Sequence, residues 1–458
     1  MPKVSLPRGP QPTGSVLPAV PSGRTPHSGA PAPKVRPRGA LLFLYVMWCI
    51  NVLAPQWYIA SKGPQFVLRV PTVLFAVLLL VTLFKGPRNH LAPLTAFMLY
   101  AALSLPFAYI RGQALIVVKA LFAYYVIALA TVTIVRRARE AVPIVLIVMA
   151  GQYAEWVGFG ARSGQVTWHY AYTNYDSFGP LMVLGISSLF YIGMATKNRR
   201  WRIVALVLAA GCIMGLVVSF ARGAVLSAGV VAVWIWFRSP NKLKTAVLGI
   251  AAAIVLSISA RIFQGAQSAI EAGKTSTDFW TEMGTAFNAN DATRQDRQVL
   301  WRLALREYAS HPLFGVGPNC FGAYAADNYA AGTVGGFYNE NPGRLWGRQL
   351  HNTYYQILSE FGTVGAAIFL WMVWDFYKRN KKLRERDRIQ TWAARTGGQL
   401  SLRHLSLGLE AGMLGFLLTA YFYNQIFDVD WFYSLLTINA LLLHVTRPEP
   451  NGVRQRNT

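Results

Sequence analysis

Residues 343–356 read GRLWGRQLHNTYYQ, and residues 357–371 continue as ILSEFGTVGAAIFLW. The first part is polar, and the second has the apolar character of a helix that enters a membrane. His351 therefore stands at the border between the two, with Arg344 and Arg348 just before it. Histidine transfers protons near neutral pH, and arginine binds phosphate through its planar fork of donors. The stretch indicates a chemical site at one face of a membrane bundle.

Composition favours the same class of protein. The chain has 458 residues, of which 53% are hydrophobic and only 14% charged, with a net charge of +25. Apolar runs of about 20 residues recur along it, which is typical of a polytopic helical membrane protein. Its cations lie mainly in short segments between these runs, so membrane topology explains them better than nucleic-acid binding does. The three cysteines and seven histidines show no metal-site spacing, and we expect no metal, no cofactor and no nucleic acid.

We predict an all-α integral membrane protein with about 12 transmembrane helices and one large, partly helical extracytoplasmic loop between the ninth and the tenth. The predicted spans are 40–59, 64–84, 91–110, 113–135, 141–160, 175–195, 203–220, 223–237, 245–263, 352–377, 405–427 and 431–445. The Pro/Gly-rich basic tail is predicted to be disordered. By region, we expect this cytoplasmic tail at 1–39, spans one to nine within 40–263, the catalytic loop at 264–351, the last three spans within 352–446 with a basic loop at 378–404, and a second tail at 447–458.

The positions of Lys and Arg predict the orientation. When the connections are numbered alternately, one set holds nearly all the clustered cations, including those of both tails and of the 378–404 loop. Short loops rich in Lys and Arg stay in the cytoplasm, so both termini are predicted to be cytoplasmic. The 264–351 loop and His351 then lie on the outer face. Within this loop, residues 294–311 are predicted to form an amphipathic helix, and residues 337–347 an irregular segment.

Six basic side chains are candidates for holding a diphosphate on that face: Arg222, Arg297, Arg344, Arg348, Arg69 and Lys119. Arg222 lies in a very short turn between two spans, and a cation inside a span, such as Arg69 or Lys119, is usually functional or paired. The alternatives are ordinary ones. Arg69 and Lys119 could extend to lipid headgroups, Arg222 could face headgroups, and Arg297 could lie on a solvated helix face.

His351 is the candidate general base, because the cations beside it disfavour its charged form. A capping or interfacial role is the alternative. Polar and aromatic side chains suit recognition of sugar faces and hydroxyls, although an interfacial aromatic belt would have the same composition. The candidates for binding the glycan or its acceptor are Tyr172, Asn174, Asp176, Asn352 and Tyr355.

Four short motifs follow one another along the chain. They are YTNYD at 172–176, SFARGA at 219–224, RQVLW at 297–301 with HPLFGVG at 311–317, and HN at 351–352 with GTVG at 362–365. Together they resemble the motifs of the O-antigen ligase and polymerase superfamily of membrane glycosyltransferases. The resemblance covers roughly residues 170–369, and the first part of the chain is similar only in topology.

The resemblance implies metal-independent transfer of an oligosaccharide or polysaccharide from a polyprenyl diphosphate carrier on the outer side of the inner membrane. Arg222 and Arg297 would hold the diphosphate, and His351 would activate the acceptor hydroxyl. The implied partners are the lipid-linked glycan donor, a glycan or glycolipid acceptor, the lipid bilayer and other polysaccharide assembly proteins. Whether the acceptor is the lipid A core, as for a ligase, or another lipid-linked repeat unit, as for a polymerase, stays open.

Two other classes of function remain. A transporter or flippase of lipid-linked glycans would need charged or broken helices near the bilayer midplane and an internal repeat. A non-catalytic scaffold of a glycan assembly complex would need the chain but not the arginines and the histidine.

Overall fold

The computed structural model describes residues 38–53, 91–163, 175–219, 221–270, 279–285, 292–427 and 431–447. Most residues in these ranges are helical, and the one β-bridge among them joins Thr196 to Leu400. In chain order the helices are α1 (Arg38–Leu53), α2 (Ala92–Ser104), α3 (Arg111–Ile134), α4 (Ala138–Ser163), α5 (Tyr175–Ala195), α6 (Arg199–Val218), α7 (Arg222–Arg238), α8 (Lys242–Ile270), α9 (Phe279–Thr285), α10 (Ala292–Ser310), α11 (Phe321–Asn328), α12 (Thr353–Leu383), α13 (Arg386–Thr396), α14 (Leu402–Thr419) and α15 (Trp431–Val445).

The predicted all-helical membrane class is confirmed. Five of the described helices, α3, α5, α6, α8 and α12, are long and apolar enough to cross a membrane, and α1, α2 and α15 are shorter apolar helices. Helices α5 and α15 have the bounds predicted from hydropathy, 175–195 and 431–445. The predicted span at 64–84 lies outside the described residues, and the number of 12 spans stays a prediction.

Burial differs sharply between helices. Within its most apolar window α5 is 83% buried, whereas α8 is 11% buried. Side chains such as Ile250, Ile254 and Ile258 point away from the protein on α8. A continuous apolar surface of this kind is expected where a helix faces lipid, because hydrocarbon does not penalise its exposure. Helix α5 is the centre of the bundle, in contact with α4, α6, α7 and α14.

Two predicted boundaries were wrong. The span predicted at 405–427 ends as a helix at Thr419, and residues 420–427 form turns. These turns accept and donate hydrogen bonds at the start of α12, which an uninterrupted helix could not do because its backbone groups would bond within the helix. The basic segment at 378–404 is not only a loop, since α12 extends to Leu383 and α13 lies within it.

The large loop has a small core of its own. The predicted helix at 294–311 is confirmed as α10, and α11 and two short 3-10 turns, Gly336–Tyr338 and Pro342–Leu345, lie after it. The buried side chains of this core are Val299, Leu300, Leu303, Ala304, Phe321, Ala325, Val334, Tyr338, Leu345 and Leu350. Because Leu350 belongs to this core, the loop fixes the chain one residue before His351.

Helix α12 is broken at Gly362, where the backbone has φ 62° and ψ −165°. The segment after α10 fills the break. Val316 and Gly317 donate backbone hydrogen bonds to the carbonyls of Ser359 and Glu360. On the other side of the break, the N–H of Thr363 donates to the carbonyl of Pro312 at 2.8 Å. The backbone groups released by the break are therefore satisfied within the protein.

The break explains why two of the sequence motifs carry glycine. A Cβ at Gly362 would overlap the carbonyl group of Leu313, and one at Gly315 would overlap the carbonyl group of Glu360. The conformation of Gly362 is also one that only glycine adopts readily. HPLFGVG and GTVG are thus two halves of one backbone junction, which joins the loop to the first, short segment of α12.

Candidate functional site

Arg222 is the first residue of α7, immediately after the turn that follows α6. The hydroxyl of Ser219 organises this turn, because it donates to the carbonyl of Leu216 at 2.6 Å and accepts from the N–H of Ala221 at 3.2 Å. Gly179, near the start of α5, packs directly against Ala221. Arg222 is half-buried. Its position adds the partial positive charge of a helix N-terminus to that of its guanidinium, which favours an anion there.

Trp301 connects α10 to the residues around His351. Its indole N–H donates to the carbonyl of Leu350 at 3.0 Å, and its ring stacks on Tyr355 with centroids 5.3 Å apart. Arg297 lies four residues earlier on α10, so its side chain shares this face of the helix. The arginine and the tryptophan of the RQVLW motif therefore lie on the same face of α10, and Trp301 joins this face to Leu350, the residue before His351.

Asn352 fixes the start of α12. Its side-chain oxygen accepts from the N–H groups of Tyr354 and Tyr355, at 2.9 and 3.1 Å, and its amide nitrogen donates to the carbonyl of Tyr421 at 2.9 Å. Its backbone N–H donates to the side chain of Asn424 at 3.0 Å. Asn352 is fully buried. These contacts give it a capping role, and its proposed role in binding a glycan stays a prediction.

His351 lies between these anchors with φ 49°, one of two non-glycine residues with positive φ in the described chain. This left-handed conformation is uncommon outside glycine and costs on the order of 1 kcal/mol. Residues on both sides enforce it, because Leu350 is held by Trp301 and Asn352 by Asn424. Strained backbone of this kind is often found at functional sites. The side chain of His351 is half-buried.

A continuous chain of contacts joins the three segments. Gly223, beside Arg222, packs directly against the ring of Phe422. The adjacent Tyr421 packs edge-on against Trp301, with ring centroids 5.5 Å apart. Trp301 in turn holds the carbonyl of Leu350, the residue before His351. The turn of Arg222, the face of α10 that carries Arg297 and the start of α12 therefore meet around residues 421–422.

Arg297 is half-buried, and its Nε is buried with no hydrogen-bond partner among the described residues. A buried guanidinium N–H normally has an acceptor, because leaving it unpaired costs the desolvation of a charged donor. An anionic ligand would supply that acceptor. Arg348 and Arg344 are both exposed. The guanidinium carbon of Arg348 lies 5.9 Å from the ring centroid of Tyr338, and that of Arg344 lies 4.7 Å from the ring centroid of Phe337.

The other residues predicted for the site have fewer described contacts with the segments around His351, or lie outside the described residues. Lys119 is exposed on α3, which suits the alternative of reaching lipid headgroups. Arg69, Tyr172 and Asn174 lie outside the described residues. Asp176 is in the first turn of α5, one helical turn before Gly179, and only its backbone is described. Tyr355 stacks on Trp301, and its predicted role in binding the glycan is not tested.

Sequence reasoning missed a buried carboxyl group in the last turn of α10. Glu307 has no exposed surface, and neither of its carboxylate oxygens has a hydrogen-bond partner among the described residues. Burial, and then the negative charge of Glu360, raise the pKa of Glu307 to about 10. It is therefore protonated at neutral pH. The signal was available, because Glu307 continues the apolar row of Leu300 and Leu303 on α10.

Glu360 lies in the first segment of α12 and is 3% exposed. It accepts a hydrogen bond from the side-chain amide of Gln356 at 3.3 Å. Cys320 is also buried near both carboxyl groups, and burial raises the pKa of its thiol to about 12. This cysteine is therefore a neutral packing residue and not a nucleophile.

Comparison with known families is consistent with this geometry. The model of the O-antigen ligase family matches residues 207–370. Over these residues, the chain is similar to the O-antigen ligase family. The matched segment includes Arg222, Arg297, His351 and the junction at Gly362, whereas the 172–176 motif lies before it. Among curated proteins, no match to the chain was found.

The O-antigen ligase family match confirms the resemblance drawn from the motifs. With the apolar helices, it indicates a bacterial membrane protein with O-antigen ligase-type activity in polysaccharide biosynthesis. A lipid-linked glycan and an acceptor are the substrates that the family implies. The described residues contain no group of three or more His, Cys, Asp or Glu side chains that could hold a metal ion.

Proposed function

We propose that the protein transfers an oligosaccharide or polysaccharide from a polyprenyl diphosphate carrier to an acceptor hydroxyl on the outer side of the bacterial inner membrane. The observation that carries this proposal is the chain of contacts from Gly223 through Phe422, Tyr421 and Trp301 to Leu350. It joins three segments, each of which presents one of the residues proposed to act.

In this reaction the acceptor oxygen attacks the anomeric carbon of the donor sugar. A new carbon–oxygen bond forms while the bond to the diphosphate breaks, and the bonding electron pair leaves with the diphosphate. His351 takes the proton of the acceptor hydroxyl on an imidazole nitrogen. Arg222 and Arg297 bind the diphosphate and stabilise the negative charge that develops on it, and such stabilisation is often the main source of an enzyme's rate enhancement.

Arg348 and Arg344 are proposed to extend this positive surface toward the solvent. No nucleotide is required, since the phosphate ester of the donor is already activated.

The break in α12 bears on the rival transporter function. In transporters, unwound backbone carbonyls at a break coordinate the transported ion. Here the carbonyls of Ser359 and Glu360 accept hydrogen bonds from Val316 and Gly317. Because the protein's own loop occupies them, the break favours a rigid junction over an ion site, and transfer chemistry is the better-supported function.

The proposal is tested with the purified chain in proteoliposomes that contain a polyprenyl diphosphate oligosaccharide and candidate acceptors. Products are identified by mass spectrometry. Growth of the lipid-linked glycan indicates a polymerase, and its appearance on a second lipid indicates a ligase. If the wild-type protein releases the glycan onto no acceptor but moves it between leaflets, the transporter function is correct instead.

The site residues are tested in the same assay. We expect His351→Ala to lower the transfer rate about 10²–10⁴-fold, the usual contribution of a general base. Arg297→Lys keeps the charge but loses the two-pronged contact, and we expect a decrease of about 10–10³-fold. Arg302→Lys, on the exposed side of the same helix, is the matched control and should retain wild-type activity. Normal transfer by a folded His351→Ala protein would exclude the proposed base.

A further inference from the structure

A cavity of about 630 Å³ opens between α4, α5 and α6, at the end of the bundle away from Arg222. Helix α6 contains 20 residues and separates the two places. At 1.5 Å per residue, its length is about 30 Å, which equals the thickness of the hydrocarbon core of a bilayer. The cavity is therefore distinct from the candidate transfer site and lies at the opposite face.

The walls of the cavity are apolar, and one side is open to the surroundings. Leu146, Leu189 and Ile192 line its inner side, and Val204 and Leu208 of α6 line its outer side. Val204 itself is 43% exposed, so this wall is part of the protein's outer surface. The volume is typical of a site for a small ligand. Since the surface faces lipid, a hydrocarbon chain is the ligand that such walls accept.

The rim of the cavity is polar and basic. Lys197, Asn198 and Trp201 line it, and Arg199 and Arg200 follow on the first turn of α6. The side chains of the three cations are exposed and form no ion pair with any described residue. Trp201 is 65% exposed, as expected for an aromatic side chain at the level of lipid headgroups.

The backbone of the rim is held in place. Arg202 donates to the carbonyls of Gly193 and Thr196, at 3.2 and 3.0 Å, and so caps the end of α5. Asn198 caps the start of α6 by accepting from the N–H of Arg200 at 2.9 Å. The N-terminus of α6 adds a partial positive charge to the segment that carries the three exposed cations.

We propose that this cavity binds an anionic phospholipid, with an acyl chain between α4, α5 and α6 and the phosphate held by Lys197, Arg199 and Arg200. Basic pockets between transmembrane helices bind anionic headgroups in this way. Charge complementarity selects an anionic over a zwitterionic lipid, because three cations without carboxylate partners among the described residues surround the rim. The inference does not depend on the transfer reaction, since none of these residues belongs to the proposed site.

The test uses the purified full-length chain in detergent, with phosphatidylglycerol or phosphatidylcholine of the same acyl composition added. Native mass spectrometry counts bound lipids, and thermal unfolding measures stabilisation. We expect phosphatidylglycerol to remain bound and to raise the apparent Tm more than phosphatidylcholine does. Equal effects of the two lipids on the wild-type protein would overturn the proposal.

The triple variant Lys197→Gln, Arg199→Gln and Arg200→Gln should bind phosphatidylglycerol on the order of 100-fold more weakly, at about fivefold per cation. All three side chains are exposed, so the variant should fold. The matched control removes three exposed cations elsewhere, in Lys381→Gln, Lys382→Gln and Arg386→Gln, and should keep wild-type affinity. Equal losses in both triple variants would show a general effect of net charge and would refute the site.

A second variant tests the apolar walls of the cavity independently of its basic rim. Ala150 lines the cavity and is half-buried, so Ala150→Phe fills part of it without a change of charge. We expect this variant to lose the bound phosphatidylglycerol while inorganic phosphate has no effect on either protein. If inorganic phosphate stabilises the wild-type chain as well as the lipid does, the rim binds an anion alone and the acyl-chain site is refuted.

Discussion

The buried carboxyl group of Glu307 gives a quantitative prediction for Glu307→Gln. The pKa of Glu307 is raised to about 10, whereas an unfolded glutamate titrates near 4.3. The folded protein must therefore hold a proton that the unfolded chain releases above that lower value. The contribution of Glu307 to the free energy of unfolding is therefore greatest below about pH 4.3, where both states carry the proton. It decreases progressively as the pH rises toward 10.

The size of the effect follows from linkage. Between pH 4.5 and pH 7.5 the folded state retains the extra proton over three pH units, and each unit costs about 1.36 kcal/mol. The free energy of unfolding of the wild-type protein should thus fall by about 4 kcal/mol because of this group. Glutamine has the same shape and needs no proton, so Glu307→Gln should remove this part of the pH dependence. At pH 7.5 the variant should be more stable by a similar amount.

The assay is thermal unfolding of the purified protein in detergent between pH 5 and pH 9. For a chain of this length, 1 kcal/mol corresponds to roughly 1–2 °C in Tm. We therefore expect Glu307→Gln to raise the apparent Tm by about 4–8 °C at pH 7.5 and to change it little at pH 5. Glu340→Gln, at an exposed position of the same loop, is the matched control and should follow the wild-type curve.

A variant that unfolds with the same pH slope as the wild-type protein would refute this reasoning. A lower Tm at every pH would show that Glu307 is ionised in the folded state and stabilised by a cation. Transfer activity should survive the change, because Glu307 takes no part in the proposed reaction.

Three further predictions test the packing that presents the site. Gly362→Ala should lower the free energy of unfolding by at least about 2–3 kcal/mol, measured as a lower apparent Tm, because the new Cβ would overlap backbone atoms in a conformation that favours glycine. Its control is Gly397→Ala, at a positive φ with open space around it, which should lower the free energy of unfolding by only about 1 kcal/mol. Asn352→Ala removes a buried cap and should cost about 1–3 kcal/mol by the same measurement, and an unchanged Tm would contradict the capping role. Trp301→Phe keeps an aromatic ring but loses the indole donor that positions the backbone before His351, so the transfer rate should fall about tenfold or more while the protein stays folded; an unchanged rate would show that the hydrogen bond is dispensable.

The sequence by itself determined the features that depend on local pattern. Hydropathy predicted α5 and α15 with their observed bounds, and the apolar period predicted α10. The two spans are predictable because the cost of exposing backbone and polar groups to hydrocarbon is set residue by residue along one segment. Helix α10 is predictable because its apolar side chains recur at the period of a helix. The motifs indicated Arg222, Arg297 and His351 as a group, although nothing in the linear order says how they approach one another.

Only the tertiary structure decided what those motifs do. The break at Gly362 exists because a loop some 50 residues earlier supplies the hydrogen bonds that the helix gives up. The early end of α14 at Thr419 has the same cause, since residues 420–425 bond to Asn352 and Thr353 instead of extending the helix. Hydropathy cannot show either event, because each exchanges local backbone hydrogen bonds for equally good distant ones.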